Sequence, residues 1–149
     1  MATTPDEGVA LQDMVCWNVY QASRAVTAEY RRLLEPLDLS YPQYIALACL
    51  WEYGDHTVGE LAARLNVDYG TITPLIKRME KRGLLTRTRS ASDERTVIVS
   101  LAPAGDELRR HAHGIYANIR KAFGLTPERS VAALDVLRGI TSWEGDGRQ

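Results

Sequence analysis

The chain has 149 residues, 45% hydrophobic and 25% charged, with a formal net charge of −1, a size and balance that suit one compact domain with a sizeable core. No apolar run is long enough to span a bilayer, and the start, MATTPDEGVALQDM, has neither the basic region nor the apolar stretch of a leader, so a cytoplasmic protein with no membrane partner is expected. Two cysteines, Cys16 and Cys49, are too few for a disulfide scaffold and lack C-x-x-C metal spacing, which leaves them as thiols in a reducing compartment unless one is reactive.

From Leu11 the apolar positions Val15, Val19, Ala22, Val26, Tyr30, Leu33 and Leu37 alternate steps of four and three, which predicts a long amphipathic helix ending near Pro36. A second helix is predicted from Ser40, where Ser40 and Gln43 match a capping box and Pro42 lacks an N–H that the first turn leaves unpaired anyway, to about Tyr53. Thr57 and Glu60 form another capping box, ahead of a helix with Leu61, Ala62 and Leu65 on its apolar face, and Asn66 to Asp68 is the turn after it. The next helix, from about Tyr69 to Lys81, contains Pro74, whose ring opposes the carbonyl of Gly70. A local distortion of the first turn is expected, aiming Tyr69, Thr71 and Thr73 outward while Ile72, Leu75, Ile76 and Met79 pack inward. Gly83 suits a left-handed stop. Leu85 to Arg89 and Thr96 to Leu101 alternate as two strands around the loop SASDER. Two helices close the chain, one from about Pro103 to Phe123 and one from Pro127 to about Trp143 with Thr126 as N-cap, before a GDGRQ tail expected to fray.

A helix, a turn, a second helix and a β-wing in this order put two basic elements on one surface for DNA. Between Arg64 and Arg95 eight Lys and Arg stand against four acids, while the remainder carries ten bases and fifteen acids, so attraction for phosphate is concentrated on one lobe. A solvated charged face is the plain alternative, and the helix pattern beneath it weighs for DNA. Thr methyls suit thymine, and Lys77 and Arg78 suit guanine or phosphate. Arg95, held extended by the Asp93 carboxylate, is placed to enter a minor groove. His56, His111 and His113 lack a ligand constellation and read as surface or packing residues. No nucleophile with a plausible base, no phosphate-binding glycine loop, no metal site and no cofactor site appears, so a non-enzyme is expected.

Helix, helix, helix-turn-helix, a wing with D-x-R at its tip and two closing helices resemble the MarR family of bacterial regulators over most of the chain. The resemblance implies a mainly α (α+β) winged helix-turn-helix fold of six helices and a two-stranded β-wing, in a single domain over 1–149. It implies a homodimer intertwined through helices at about 11–34 and 103–143, whose DNA-binding lobes at about 55–101 meet a pseudo-palindromic double-stranded operator. The residues expected at the DNA are Tyr69, Gly70, Thr71, Thr73, Pro74, Lys77, Arg78, Arg87, Asp93 and Arg95. Ala102 stands where the family often has a capping Thr or Ser, which weakens a helix start.

Within the family, MVCWNVYQASRAVTAEYRRLLEPLDLSYPQYIALACLWE and LNVDYGTITPLIKRMEKRGLLTRTRSASDERTVIVSL are similar to the organic-hydroperoxide sensors, the OhrR branch. There a cysteine early in the first helix senses peroxide, matching Cys16. Two tyrosines of the partner subunit bind its thiolate, matching Tyr30 and Tyr41, and a further family tyrosine matches Tyr20. Phenol hydroxyls stabilise a thiolate by hydrogen bonding without introducing a cation, and the thiolate is the species that attacks a peroxide. Two-cysteine members keep a resolving cysteine in the C-terminal helices; this chain has none there and resembles the one-cysteine type, in which a small cellular thiol captures the sulfenic acid or overoxidation follows. Cys49, among apolar neighbours, reads as packing, and on the residues alone Cys16, Tyr30 and Tyr41 are also compatible with ordinary packing. Two other functions stay open: a repressor governed by a small aromatic ligand, and, less favoured, a thiol peroxidase using Cys16.

Overall fold

The computed structural model describes residues 8–143, so the GDGRQ tail and its expected fraying lie outside the described residues. Two compact units divide the chain, one ending at Ala112 and the other starting at His113. In the first unit α1 spans Val15–Leu34 after a 3-10 turn at Leu11–Asp13. The helix starts at Val15 rather than Leu11 because Met14 is extended, and the Asn18 side-chain amide donates to the carbonyls of Gln12 and Met14, each at 2.8 Å. A second 3-10 turn, Glu35–Leu37, carries Pro36 and ends at Asp38 in the left-handed conformation.

α2, Tyr41–Tyr53, opens with both halves of the Ser40/Gln43 box, and α3, Val58–Leu65, with both halves of the Thr57/Glu60 box. Asn66, left-handed at φ 53°, turns the chain toward α4, Tyr69–Lys81, where the Asp68 carboxylate accepts the Thr71 N–H at 2.7 Å. The helix runs through Pro74 without a break, in place of the expected distortion of its first turn. Its start is pinned by the Asp68 cap, and the proline removes one backbone bond from an otherwise continuous ladder. Ile72, Leu75, Ile76 and Met79 are buried while Tyr69 and Thr71 are exposed and Thr73 is half-buried. Gly83, at φ 73°, ends α4: Leu84 N–H reaches the Met79 carbonyl and Gly83 N–H that of Glu80, a pair of bonds that closes a helix only when the intervening residue is left-handed.

The sheet has three strands in the order β1-β3-β2, one more than predicted. β1, His56–Thr57, is too short to show alternation and exists because the β3 edge supplies its ladder, His56 facing Val99 and Thr57 facing Ile98. β2, Leu85–Arg89, pairs antiparallel with β3, Val97–Leu101. α5 covers only Pro103–Glu107, and a 3-10 turn at Leu108–His111 leads into α6, Ala112–Ala122, where one continuous helix is predicted. The Gly105 carbonyl, which an α-helix would offer to residue 109, accepts the buried Trp51 indole N–H at 3.0 Å, and no side chain caps the start at Ala102. Leu34, Leu47, Leu50, Leu61, Ile72, Ile76, Met79, Leu85 and Val99 form the fully buried core of this unit. In the second unit Ile115 and Ile119 on α6 are buried, and α7, Pro127–Thr141, buries no residue. Among the described residues no helix is long and apolar enough to cross a membrane.

Candidate functional site

Between α3, the start of α4 and the wing lies a groove of about 320 Å³, lined by Tyr69, Thr73, Arg87 and Arg95 together with Thr57, Val58 and Gly59. Four of the ten residues expected at DNA therefore share one concavity. Gly70, Thr71, Pro74, Lys77 and Arg78 lie exposed along α4 beside it. The two wing arginines that line it differ. Arg87 is committed to Glu80 of α4, Nε to carboxylate at 2.7 Å, an ion pair that ties β2 to that helix; Arg95 is exposed at the wing tip. Asp93 acts otherwise than the sequence implies. Its carboxylate accepts the Arg95 backbone N–H at 3.0 Å and the Thr96 hydroxyl at 3.1 Å, so it fixes the turn from which Arg95 projects and leaves the guanidinium to other partners. Sequence reasoning missed the Asp68 cap, whose position before a helix was legible, and the Glu80 partner of Arg87, which no periodicity announces.

The residues expected to sense peroxide fall into two groups. Cys16 is the second residue of α1 and exposed; one turn on, Tyr20 packs its ring 5.8 Å from Trp17 and beneath the Arg24 guanidinium. Farther along, Tyr30 of α1 and Tyr41 at the first position of α2 stack with centroids 4.3 Å apart, and Tyr44 and Trp51 extend the aromatic column. Burial pushes the Tyr41 phenol above its ordinary pKa, and burial with the neighbouring Tyr41 does the same for Tyr44, so both are hydrogen-bond donors at neutral pH. Cys16 and Tyr30 are fourteen residues apart on one helix, about 21 Å at 1.5 Å per residue. One chain therefore does not bring thiol and tyrosines together.

Cys49 is buried, and burial pushes its thiol pKa up, with Glu52 adding and Arg64 opposing. His56 is buried, a packing residue: Arg64 Nε donates to its Nε2 at 3.0 Å, which leaves Nδ1 to donate to the Gly54 carbonyl at 2.7 Å. At the other end of α2, Arg82, the residue closing α4, reaches the Asp38 carboxylate and the Gln43 side-chain oxygen, each at 3.2 Å. Gln43 belongs to the capping box that opens α2 next to Tyr41.

Residues 39–97 match the model of the MarR family. The chain is 44% identical to the organic hydroperoxide resistance transcriptional regulator of Bacillus subtilis (strain 168) over 109 residues, 73% of this chain and 74% of that one. It is 37% identical over 138 residues to the HTH-type transcriptional regulator TtmR of Methylorubrum extorquens (strain PA1), covering 93% and 71% of the two chains. Among solved structures, overoxidized AbfR of Staphylococcus epidermidis bound to DNA superposes with a TM-score of 0.72 at 26% identity, over 88% of this chain and 92% of that one.

Proposed function

The chain belongs to the MarR family of DNA-binding transcriptional regulators, and from that premise we propose that it is a homodimeric repressor released from a pseudo-palindromic operator when organic hydroperoxide oxidises Cys16. The observation that carries this reading is the division of the sensor residues: an exposed thiol at one end of α1, and a stacked Tyr30/Tyr41 pair about 21 Å away at the other. A second copy running antiparallel along α1 sets each thiol against the other chain's tyrosines. The similarity to a hydroperoxide resistance regulator supports the same assignment. So does the apolar surface left on one chain, since Val131, Leu134, Val136, Leu137 and Ile140 of α7 are all exposed.

The Cys16 thiolate attacks one peroxide oxygen, an S–O bond forms as the O–O bond breaks, and the departing alkoxide takes a proton to give an alcohol and a sulfenic acid. A low-molecular-weight thiol then condenses with the sulfenic acid, giving a mixed disulfide and water. Either that adduct or a higher oxide is too large or too charged for a site closed by two phenols, and the tyrosines move. Tyr41 opens α2, and the Arg82 link ties that opening to the end of the recognition helix. Displacement there changes the spacing of two recognition helices that must enter the grooves together.

The test is DNA binding by wild type, Cys16→Ser and Cys49→Ala, with and without cumene hydroperoxide and a small thiol. Wild type and Cys49→Ala should dissociate on oxidation, and Cys16→Ser should bind and stay bound. Peroxide release of Cys16→Ser would move the sensor elsewhere, and binding insensitive to peroxide in every variant would favour control by a small aromatic ligand.

A further inference from the structure

Gly59 is the second residue of α3, with an ordinary helical backbone that any residue adopts. A glycine there has a cost, because alanine is the better helix former. The space a Cβ would fill is taken by one atom: the hydroxyl of Tyr69, the first residue of the recognition helix, overlaps a Cβ built on Gly59, whereas the ring carbon bearing that hydroxyl lies 3.6 Å away, an ordinary contact. Tyr69 is otherwise 64% exposed, and nothing among the described residues hydrogen-bonds its hydroxyl. Both residues line the groove that Arg87 and Arg95 share.

We infer that Gly59 is a positioning residue for DNA binding: a side-chain-free notch on α3 that seats the Tyr69 ring and directs its hydroxyl at a DNA backbone phosphate beside the wing arginines. The hydroxyl donates to a phosphate oxygen, and a methyl group at residue 59 dislodges it. The inference rests on the reading of Tyr69 as a DNA contact and deepens it, since Gly59 acts only through that tyrosine.

The experiment is a double-mutant cycle of Gly59→Ala and Tyr69→Phe, read by thermal unfolding and by titration of the full chain onto a duplex of about 30 base pairs enriched from random sequence by the wild-type protein. Tyr69→Phe should weaken binding roughly 100-fold per dimer, one hydrogen bond to an anionic phosphate lost per subunit. Gly59→Ala should weaken it to a similar degree while leaving the melting temperature unchanged or raised, a combination that damage to the fold does not produce. In the double variant the clash is gone with the hydroxyl, so it should bind no worse than Tyr69→Phe alone. Wild-type affinity of Gly59→Ala alongside a weakened Tyr69→Phe would overturn the role of Gly59 and spare that of Tyr69. Losses that multiply in the double variant would show Gly59 acting by itself and also overturn it. Wild-type affinity of Tyr69→Phe would remove the Tyr69 contact and the inference with it.

Discussion

At the scale of single residues, two of the three wing arginines line the groove, with different surroundings. Arg95 stands free at a tip whose turn is fixed by Asp93, whereas Arg87 is already paired with Glu80. Arg95→Ala should weaken operator binding strongly through loss of a minor-groove anchor, a change read by titration against the same duplex. Arg87→Ala should act partly through the fold. Because the pair is about one-third exposed on both sides, a double-mutant cycle with Glu80→Ala in denaturant unfolding should give a coupling of about 0.5 kcal/mol. The sequence shows the basic excess and the D-x-R tip, and both stand at one groove edge. It does not show which arginine is committed, because the Glu80 to Arg87 contact crosses from helix to strand through a turn that no local pattern describes.

Elements are where the sequence was most legible, and the reason is range. The Ser40/Gln43 and Thr57/Glu60 boxes close between residues three apart, so the pattern and the bonds coincide. β1 and the break after α5 depend on remote partners, the β3 edge and the Trp51 indole, and local propensity is silent about both. The α3 box also makes a prediction about pH. The Thr57 backbone N–H, followed by the Thr57 hydroxyl, His56 and Arg64, holds the Glu60 carboxyl below its ordinary range against some desolvation. A depressed carboxylate contributes stability above the unfolded pKa and loses it as pH falls through the folded one. Glu60→Gln, which keeps an acceptor and removes the charge, should flatten the acid limb of the stability curve below about pH 4.3, measured by denaturant unfolding against pH. An unchanged acid limb would mean that the box does not depend on charge.

For the whole molecule, the second unit leaves α7 without a buried residue, and that surface is the one proposed to meet a second copy. Leu134→Glu with Leu137→Glu should yield a monomer in sedimentation, with operator affinity reduced roughly 100-fold because two linked half-sites become one. The expected association of the terminal helices comes from the resemblance; periodicity gives an apolar stripe and is equally satisfied by internal packing.

The distance along α1 between Cys16 and Tyr30 has a genetic counterpart. If each thiol is served by the other chain's phenols, the sensor is shared property and can be rebuilt by complementation. Cys16→Ser chains alone have no sensing thiol, and chains with Tyr30→Phe and Tyr41→Phe should respond slowly. Mixing the two gives heterodimers in which the one remaining Cys16 faces an intact tyrosine pair, while all defects gather in the opposite site. Such mixtures should regain fast, peroxide-triggered release in up to half of the dimers, the statistical yield of random exchange, followed as biphasic dissociation from the duplex. A site contained within one chain would show no recovery at any mixing ratio.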